Sequence, residues 1–483
     1  MSIVRNTGYN LVAALVPIGV SLVTVPVFLH AMGEERYGVM ALIAMLLGYF
    51  GVFDLGLSTA TAQRIAARPD TDLDARRRIF WTGTIANLSI GLVGAVVILP
   101  IALLFAGSAI KAPAEMMPEI RQSMVWLVLA LPVMLLTGVL RGALQGASRF
   151  AELNLINVIA VPISQLVPLA AAVWFSPKLT VVLPVLYAAR FGVLACYFAV
   201  VLHRVTRGWH VSFDLGEARA LMRFGGWMTL SSLIATVLVG LDRFVIGALI
   251  GVRQVSYYTV PYQLSERAMF VPSALAQAMF PRVSGAPDEG EARALSVRGV
   301  MAIAAFCGPP MVFGAVFLHP FLGWWISPGF AQAAAPLGQV ILAGFWLNAL
   351  GMACANHLTA RGLPRLYATA HAIEVVPYCL LLYGLMHWLG LLGAALAFVA
   401  RVYADDLLLA YLAGFLRPVA LIATGGLAVF VAAHMIGAGL LLGETTRVVL
   451  GLGLVGLTSL ASLAWVSTQR DSLTAVLRGG WRQ

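Results

Sequence analysis

The run LVAALVPIGVSLVTVPVF, residues 11–28, carries no charged side chain and is long enough to cross a bilayer as one helix. Comparable apolar runs follow along the rest of the chain, separated by short polar breaks. The run 37–64 contains Phe53-Asp54-Leu55-Gly56, where we expect it to break or to leave the membrane. The predicted spans are 8–30, 37–64, 79–105, 123–145, 154–175, 181–202, 224–250, 257–282, 298–320, 335–357, 367–387, 391–414, 418–437 and 448–467.

The composition agrees with a membrane protein that crosses the bilayer many times. Of 483 residues, 60% are hydrophobic and 11% are charged, whereas soluble chains have about 45–50% apolar and about 25% charged residues. The fold class is therefore an all-α polytopic membrane protein with about 14 transmembrane helices. The breaks between spans are too short for a soluble catalytic domain, and we expect no nucleic-acid partner. The four cysteines lie within apolar runs and are expected to be packing residues.

The basic residues predict the orientation in the membrane. The net charge is +10. If the spans alternate, 21 of the Lys and Arg residues fall on the side of the two termini and 6 on the opposite side. Because basic residues accumulate on the cytoplasmic side, both termini are expected to be cytoplasmic. The first apolar run is expected to be an uncleaved helix, since no signal-cleavage motif follows it.

The two halves of the chain match at a nearly constant offset. Gly33 corresponds to Gly251 and Arg64 to Arg282, each 218 residues apart. Chance similarity between Gly- and Arg-containing turns is the alternative, but four matches in the same order favour a duplication. The other two pairs are Arg149 with Arg365 and Arg190 with Arg401.

A repeat unit of six helices predicts the domain organisation. Residues 1–205 and 206–415 are expected to form two six-helix bundles, followed by two extra helices and a cytoplasmic tail in 416–483. An even number of spans per unit gives both copies the same direction in the bilayer. The pseudo-two-fold axis then runs along the membrane normal, and the cleft between the bundles is the natural site.

Several kinds of site are missing from the sequence. It contains no phosphate-binding glycine loop followed by Lys, no HExxH, and no Cys/His cluster. The eight histidines are scattered, and no Ser/His/Asp set can be placed. We therefore expect no enzyme activity, no metal and no cofactor, although transport could be coupled to H⁺ or Na⁺.

Four arginines fall within predicted spans: Arg190, Arg243, Arg267 and Arg401. Arginine near the bilayer centre costs roughly 2.5–3.5 kcal/mol on insertion scales, so such residues usually face a wet cavity or a partner. Asp405 lies four residues after Arg401, on the same helix face. Arg401 can therefore either form an ion pair with Asp405 or face the cavity, and both interpretations stay open. The other three have no acid at a same-face spacing, but pairing across helices is also open for Arg243 and Arg267.

These arginines suggest an anionic substrate. A guanidinium stays charged and binds phosphate through two hydrogen bonds, so a cavity with several of them suits a pyrophosphate group. Carboxylates in the same spans are candidates for ion coupling, although each is more often a structural partner. Asp54, Asp405 and Asp406 lie nearer the predicted cytoplasmic end and are not expected to reach the cavity. The coupling candidates are Glu266, Glu374 and Asp242.

Two segments resemble a known family. The first runs from Pro26-Val27-Phe28-Leu29 through Tyr37-Gly38 to Phe53-Asp54-Leu55-Gly56-Leu57. The second is Arg141-Gly142-Ala143-Leu144-Gln145-Gly146, followed by Arg149-Phe150 and Asn154. Both resemble Wzx-type flippases for O-antigen and exopolysaccharide repeat units, which belong to the multidrug/oligosaccharidyl-lipid/polysaccharide exporter superfamily.

The resemblance implies a function in surface polysaccharide synthesis. It implies that an undecaprenyl-pyrophosphate-linked oligosaccharide moves from the inner to the outer leaflet of the bacterial inner membrane by alternating access. Membrane lipids, a polysaccharide polymerase and chain-length proteins are the expected partners. Three alternatives stay open: a lipid II-type flippase, a multidrug or cation antiporter on the same fold, and a membrane glycan polymerase or glycosyltransferase.

Overall fold

The protein is described by a computed structural model over residues 3–50, 54, 56–69, 71–108, 111–438 and 444–468. These residues are almost entirely helical, with no strand among them, and a short 3-10 helix at Ala114–Met116 precedes α4. The helices are α1 (Ile3–Phe50), α2 (Leu57–Ala66), α3 (Leu73–Ser108), α4 (Met117–Gly146), α5 (Phe150–Trp174), α6 (Leu179–Arg204), α7 (Leu215–Leu249), α8 (Val252–Arg267), α9 (Phe270–Ser284), α10 (Glu289–Trp325), α11 (Pro328–Ala360), α12 (Pro364–Leu389), α13 (Leu391–Leu412), α14 (Leu416–Ala438) and α15 (Glu444–Thr468).

Within the described part of the chain, nine helices are long and apolar enough to cross a membrane, which confirms the all-α polytopic class. Each of the nine coincides with a predicted span. The other five predicted spans also fall on helices. The nine segments are Leu73–Pro100, Ala114–Gly146, Phe150–Trp174, Leu179–Arg204, Glu289–Trp325, Pro328–Ala360, Arg365–Leu389, Leu416–Gly437 and Thr445–Thr468.

Broken helices occur at matching places in the two halves. α1 is interrupted at Gly33, whose φ of 79° and ψ of 163° end the helical path. Gly251, with φ of 145°, separates α7 from α8. Residues with a Cβ rarely adopt these angles, so glycine permits both breaks. Both glycines of one predicted repeat pair therefore interrupt a helical path, as the predicted duplication requires.

A second break follows each of these glycines. α1 ends at Phe50 and α2 begins at Leu57, which confirms the interruption expected within 37–64. In the second half α8 ends at Arg267 and α9 begins at Phe270, so the single helix predicted over 257–282 is two helices in the structure. The chain turns there through the backbone bonds Ala268 N to Ser265 O (3.1 Å) and Met269 N to Glu266 O (3.0 Å).

The chain divides into two compact units, residues 1–256 and 257–483. In the first unit α7 packs against α1, α2 and α3. In the second, α14 and α15 pack against α10. The predicted bundle boundaries, at residues 205 and 415, stay a prediction.

Asp54 organises the start of α2. Its carboxylate accepts hydrogen bonds from the Ser58 backbone N–H (3.1 Å) and the Ser58 hydroxyl (2.6 Å). The amide of Asn87 on α3 donates a third, at 3.0 Å. Gly56, with φ of 66°, lets the chain turn into the helix. The acidic motif at 53–57 therefore caps a helix that begins after a break.

Close packing between α2 and α4 explains the glycines of the second motif. Gly138, Gly142 and Gly146 lie four residues apart on one face of α4. A Cβ at Gly142 would overlap the carbonyl of Ser58, and one at Gly146 would overlap the carbonyl of Ala62. Small residues at this spacing let two helix backbones approach closely in a membrane.

Candidate functional site

Arg190 lies in the middle of α6, and its side chain is half-buried. Its guanidinium carbon stands 6.0 Å from the centroid of the Tyr187 ring. That ring is buried and stacks on Trp126 of α4, with centroids 6.4 Å apart. Among the described residues no carboxylate pairs with Arg190. Its charge therefore lies beside an aromatic ring, and the substrate-binding role predicted for it stays a prediction.

Asp242 and Arg243 are neighbours in α7 and both are buried, at 1% and 9% exposure. The Asp242 carboxylate accepts the backbone N–H of Arg243 at 2.7 Å. Because the Nε and Nη2 atoms of Arg243 are buried, little of its guanidinium is accessible to a ligand. The cavity role predicted for Arg243 and the coupling role predicted for Asp242 stay predictions.

Glu266 and Arg267 lie at the C-terminal end of α8, directly before the break that precedes α9. Glu266 is exposed and Arg267 is half-buried. A cation in the last turn of a helix is stabilised by the helix dipole. The pair therefore marks a helix end and not the middle of an unbroken span, and the site roles predicted for it stay predictions.

Arg401 of α13 pairs with a carboxylate on the neighbouring helix. Its Nη1 lies 3.5 Å from Oε2 of Glu374 in α12, and both side chains are about nine-tenths buried. The guanidinium carbon also lies 5.2 Å from the Tyr378 ring centroid and 5.8 Å from that of Phe398. The sequence offered Asp405 as the partner, but the nearer carboxylate in the structure comes from α12.

Around this pair lies a buried acidic cluster, which we define as His371, Glu374, Asp405 and Asp406. One ligand atom from each of the first three lies within 4.8 Å of the others. His371 Nε2 is 3.8 Å from an oxygen of Asp405. Asp406 is fully buried. In the described part of the chain, neither of its carboxylate oxygens has a hydrogen-bond partner, and the same holds for Oδ1 of Asp405 and Oε1 of Glu374.

The cluster holds three carboxylates against the single guanidinium of Arg401. Buried charge without full compensation is costly, so such a group takes up protons or a cation. Carboxylate oxygens and an imidazole nitrogen are suitable for either. Sequence reasoning selected Glu374 but left out Asp405 and Asp406. The available signal was spacing: His371 and Glu374 share one face of α12, and Arg401 and Asp405 share one face of α13.

A Ser-His-Glu chain, which sequence reasoning did not find, joins α10 to α11. Ser296 Oγ lies 2.9 Å from Nδ1 of His357, and Nε2 of His357 lies 3.1 Å from Oε1 of Glu289. Arg361 donates to the other oxygen of Glu289 at 2.9 Å. Ser296 and His357 are almost completely buried. These hydrogen bonds join α10 to α11 through buried side chains.

Comparison with known proteins gives the family. The polysaccharide biosynthesis protein family matches residues 3–286, more than half of the chain. The chain belongs to this family. A "Putative O-antigen transporter" of Shigella flexneri is 28% identical to this family member over 416 residues, which is 85% of this chain and 98% of that protein.

Solved transporters share the fold of this family member. The lipid II flippase MurJ, in an inward closed conformation, gives a TM-score of 0.73 at 13% identity, over 96% of this chain and 99% of that one. An inward-facing multidrug resistance MATE family transporter of the MOP superfamily gives 0.68 at 15% identity, over 87% and 98%. At these identities the likeness concerns the fold, which is that of a multi-pass membrane transporter.

Proposed function

We propose that this protein moves a lipid-linked oligosaccharide repeat unit across the bacterial inner membrane for surface polysaccharide synthesis. The carrier is undecaprenyl pyrophosphate, the direction is from the cytoplasmic to the periplasmic leaflet, and both termini are cytoplasmic. Membership of the polysaccharide biosynthesis family and the likeness to the Shigella flexneri protein support the substrate class. The fold shared with a lipid II flippase supports the mode of transport.

The main evidence for an anionic substrate is the position of Arg190. It is a permanent cation in the middle of an apolar helix, and no carboxylate among the described residues neutralises it. Placing it at that depth costs roughly 2.5–3.5 kcal/mol, a cost that an anion passing through the membrane would offset. A pyrophosphate offers oxygens for bidentate hydrogen bonds to its guanidinium. A hydrophobic cation would be repelled by it.

The test is complementation of a deletion strain with arginine variants. Arg190→Ala should reduce surface polysaccharide at least about tenfold, because losing a charge-assisted contact costs roughly 1.5–3 kcal/mol. Arg190→Lys should retain part of the activity, since lysine keeps the charge but lacks the planar pair of N–H donors that binds a phosphate bidentately. Arg121→Ala, which removes an exposed arginine at the start of α4, is the matched control. Full polysaccharide from stably expressed Arg190→Ala would refute the assignment.

We propose that the buried acidic cluster couples transport to H⁺ or Na⁺. Its carboxylates outnumber the nearby guanidinium, so binding or release of a cation changes the electrostatic energy of the unit that contains them. Among the predicted coupling residues Glu374 has the strongest support, with Asp405 and Asp406 as new members. Glu266 and Asp242 remain candidates on sequence grounds.

One observation favours a second candidate, a multidrug or cation antiporter. The MATE transporters share the fold, and the acidic cluster has the chemistry that binds cations. In that case efflux of cationic dyes would depend on the carboxylates and would be insensitive to Arg190. Dye efflux measured in the same deletion strain separates the two functions.

A further inference from the structure

A basic pocket lies at the C-terminal end of α6, and we define it by Arg149, His203, Arg204, Arg207 and Trp209. Its volume is about 760 Å³. All of its residues belong to the first compact unit. In the orientation proposed above, with both termini cytoplasmic, this end of α6 faces the cytoplasm.

The charges in the basic pocket are unbalanced. Arg149 lies 3.7 Å and Arg204 lies 4.0 Å from the same Glu152 oxygen. Both distances are longer than a hydrogen bond. Within the described residues Arg207 has no ion pair. Two of the three guanidinium groups therefore share one carboxylate and the third has none, so the pocket has the charge complementary to a phosphate.

The segment that follows the pocket is fixed to the protein at both ends. Arg77 of α3 donates to the carbonyls of Thr206 (2.7 Å) and Arg207 (3.1 Å). At the other end the backbone N–H of Asp214 donates to Thr82 Oγ1 at 3.1 Å. The backbone between α6 and α7 is therefore held against the start of α3.

An apolar row projects from this fixed segment. Trp209, Val211, Phe213 and Leu215 are 67%, 61%, 53% and 64% exposed, and they alternate with polar residues. The Trp209 ring is positioned by aromatic neighbours, 5.2 Å from Phe198 and 5.7 Å from Trp81. A row of large apolar side chains at the end of a spanning helix is favourable in the membrane interface, where Trp concentrates.

We propose that the basic pocket and the apolar row together bind an anionic phospholipid of the cytoplasmic leaflet. The guanidinium groups of Arg149, Arg204 and Arg207 contact its headgroup phosphate, and Trp209 and Phe213 reach the boundary of its acyl chains. Basic pockets between spanning helices on the cytoplasmic side bind such headgroups. The bound lipid is a permanent neighbour of the α6–α7 connection and is distinct from the transported lipid.

The experiment measures quenching of Trp209 by brominated phospholipids. The full-length protein is reconstituted in phosphatidylcholine vesicles that contain increasing fractions of brominated phosphatidylglycerol or brominated phosphatidylcholine. The difference between wild type and Trp209→Phe isolates the Trp209 signal. Trp388, 83% exposed at the end of α12, is treated in the same way as the matched control.

Trp209 should be quenched by brominated phosphatidylglycerol at a mole fraction about fivefold lower than by brominated phosphatidylcholine, the preference expected from one arginine near the surface. Trp388 should show no preference. The triple variant Arg149→Gln, Arg204→Gln, Arg207→Gln should lose the preference of Trp209. If that variant fails to fold, exposed Arg207→Gln alone should reduce the preference.

Three results would overturn the proposal. The first is equal quenching of Trp209 by the two lipids, or no quenching by either. The second is an unchanged preference in the arginine variants. The third is loss of the preference when undecaprenyl pyrophosphate is added at low mole fraction, which would assign the pocket to the transported lipid. The quenching experiment with undecaprenyl pyrophosphate is independent of the Arg190 complementation test. The proposed phospholipid site and the proposed transport function can therefore fail separately.

Discussion

At the scale of single residues, the arginines within predicted spans have different surroundings. Arg401 is held by Glu374 and two aromatic rings. Arg243 is buried beside Asp242, and Arg267 ends a helix. Arg190, by contrast, has an aromatic neighbour and no carboxylate partner among the described residues. A shared residue type and a similar predicted depth therefore do not imply a shared role.

Removing one member of the Arg401–Glu374 pair should destabilise the second unit. Arg401→Met leaves the carboxylates without their guanidinium, and breaking a buried pair costs roughly 3–5 kcal/mol. The double variant Arg401→Met, Glu374→Gln should recover about half of that loss, because it also removes one buried charge. The measurement is the free energy of unfolding in detergent. A double variant as unstable as the single one would contradict the ion pair.

At the scale of helices, the length of the apolar runs and the positions of two glycines predicted most of the helices and breaks. The chain enters and leaves the helical state close to where polar breaks interrupt the apolar runs, and Gly33 and Gly251 mark the repeated break. The single helix predicted over 257–282 was wrong: the structure interrupts it after Arg267, directly behind the charged pair Glu266 and Arg267. Local composition predicts a span but does not show a turn made by two backbone hydrogen bonds.

The side-chain contacts between helices could not be predicted from the sequence. The partners Arg401 and Glu374 are 27 residues apart, and Ser296 and His357 are 61 apart. No periodicity joins positions on different helices, because which faces meet depends on packing of the whole unit. Asp54 shows the same limit: its motif was visible, but its partners Ser58 and Asn87 follow from the fold.

The glycines of α4 provide a test at this scale. Gly142→Ala places a Cβ against the carbonyl of Ser58, so overpacking between α2 and α4 should lower the free energy of unfolding by roughly 1–3 kcal/mol. Gly192→Ala in α6 is the control, since nothing lies within 4 Å of a Cβ there. It should be neutral or stabilise by about 0.5–1 kcal/mol. Thermal unfolding in detergent would show equal effects if the close packing is wrong.

At the scale of the whole molecule, the fold alone does not select the substrate. A lipid II flippase and multidrug transporters share it at 13–15% identity. On that fold this chain carries a mid-helix guanidinium in α6 and a buried acidic cluster between α12 and α13. The first suits an anionic head group and the second suits a coupling cation, which is the combination that a gradient-driven flippase needs.

The most direct test is lipid translocation by the purified protein in proteoliposomes, with a fluorescent undecaprenyl-pyrophosphate-linked oligosaccharide as the cargo. We expect the cargo to become accessible on the opposite leaflet and an imposed H⁺ or Na⁺ gradient to accelerate this. Arg190→Ala should slow translocation at least about tenfold, because it removes one charge-assisted contact. Translocation of a cationic dye but not of the lipid-linked cargo, at a rate unaffected by Arg190→Ala, would contradict it.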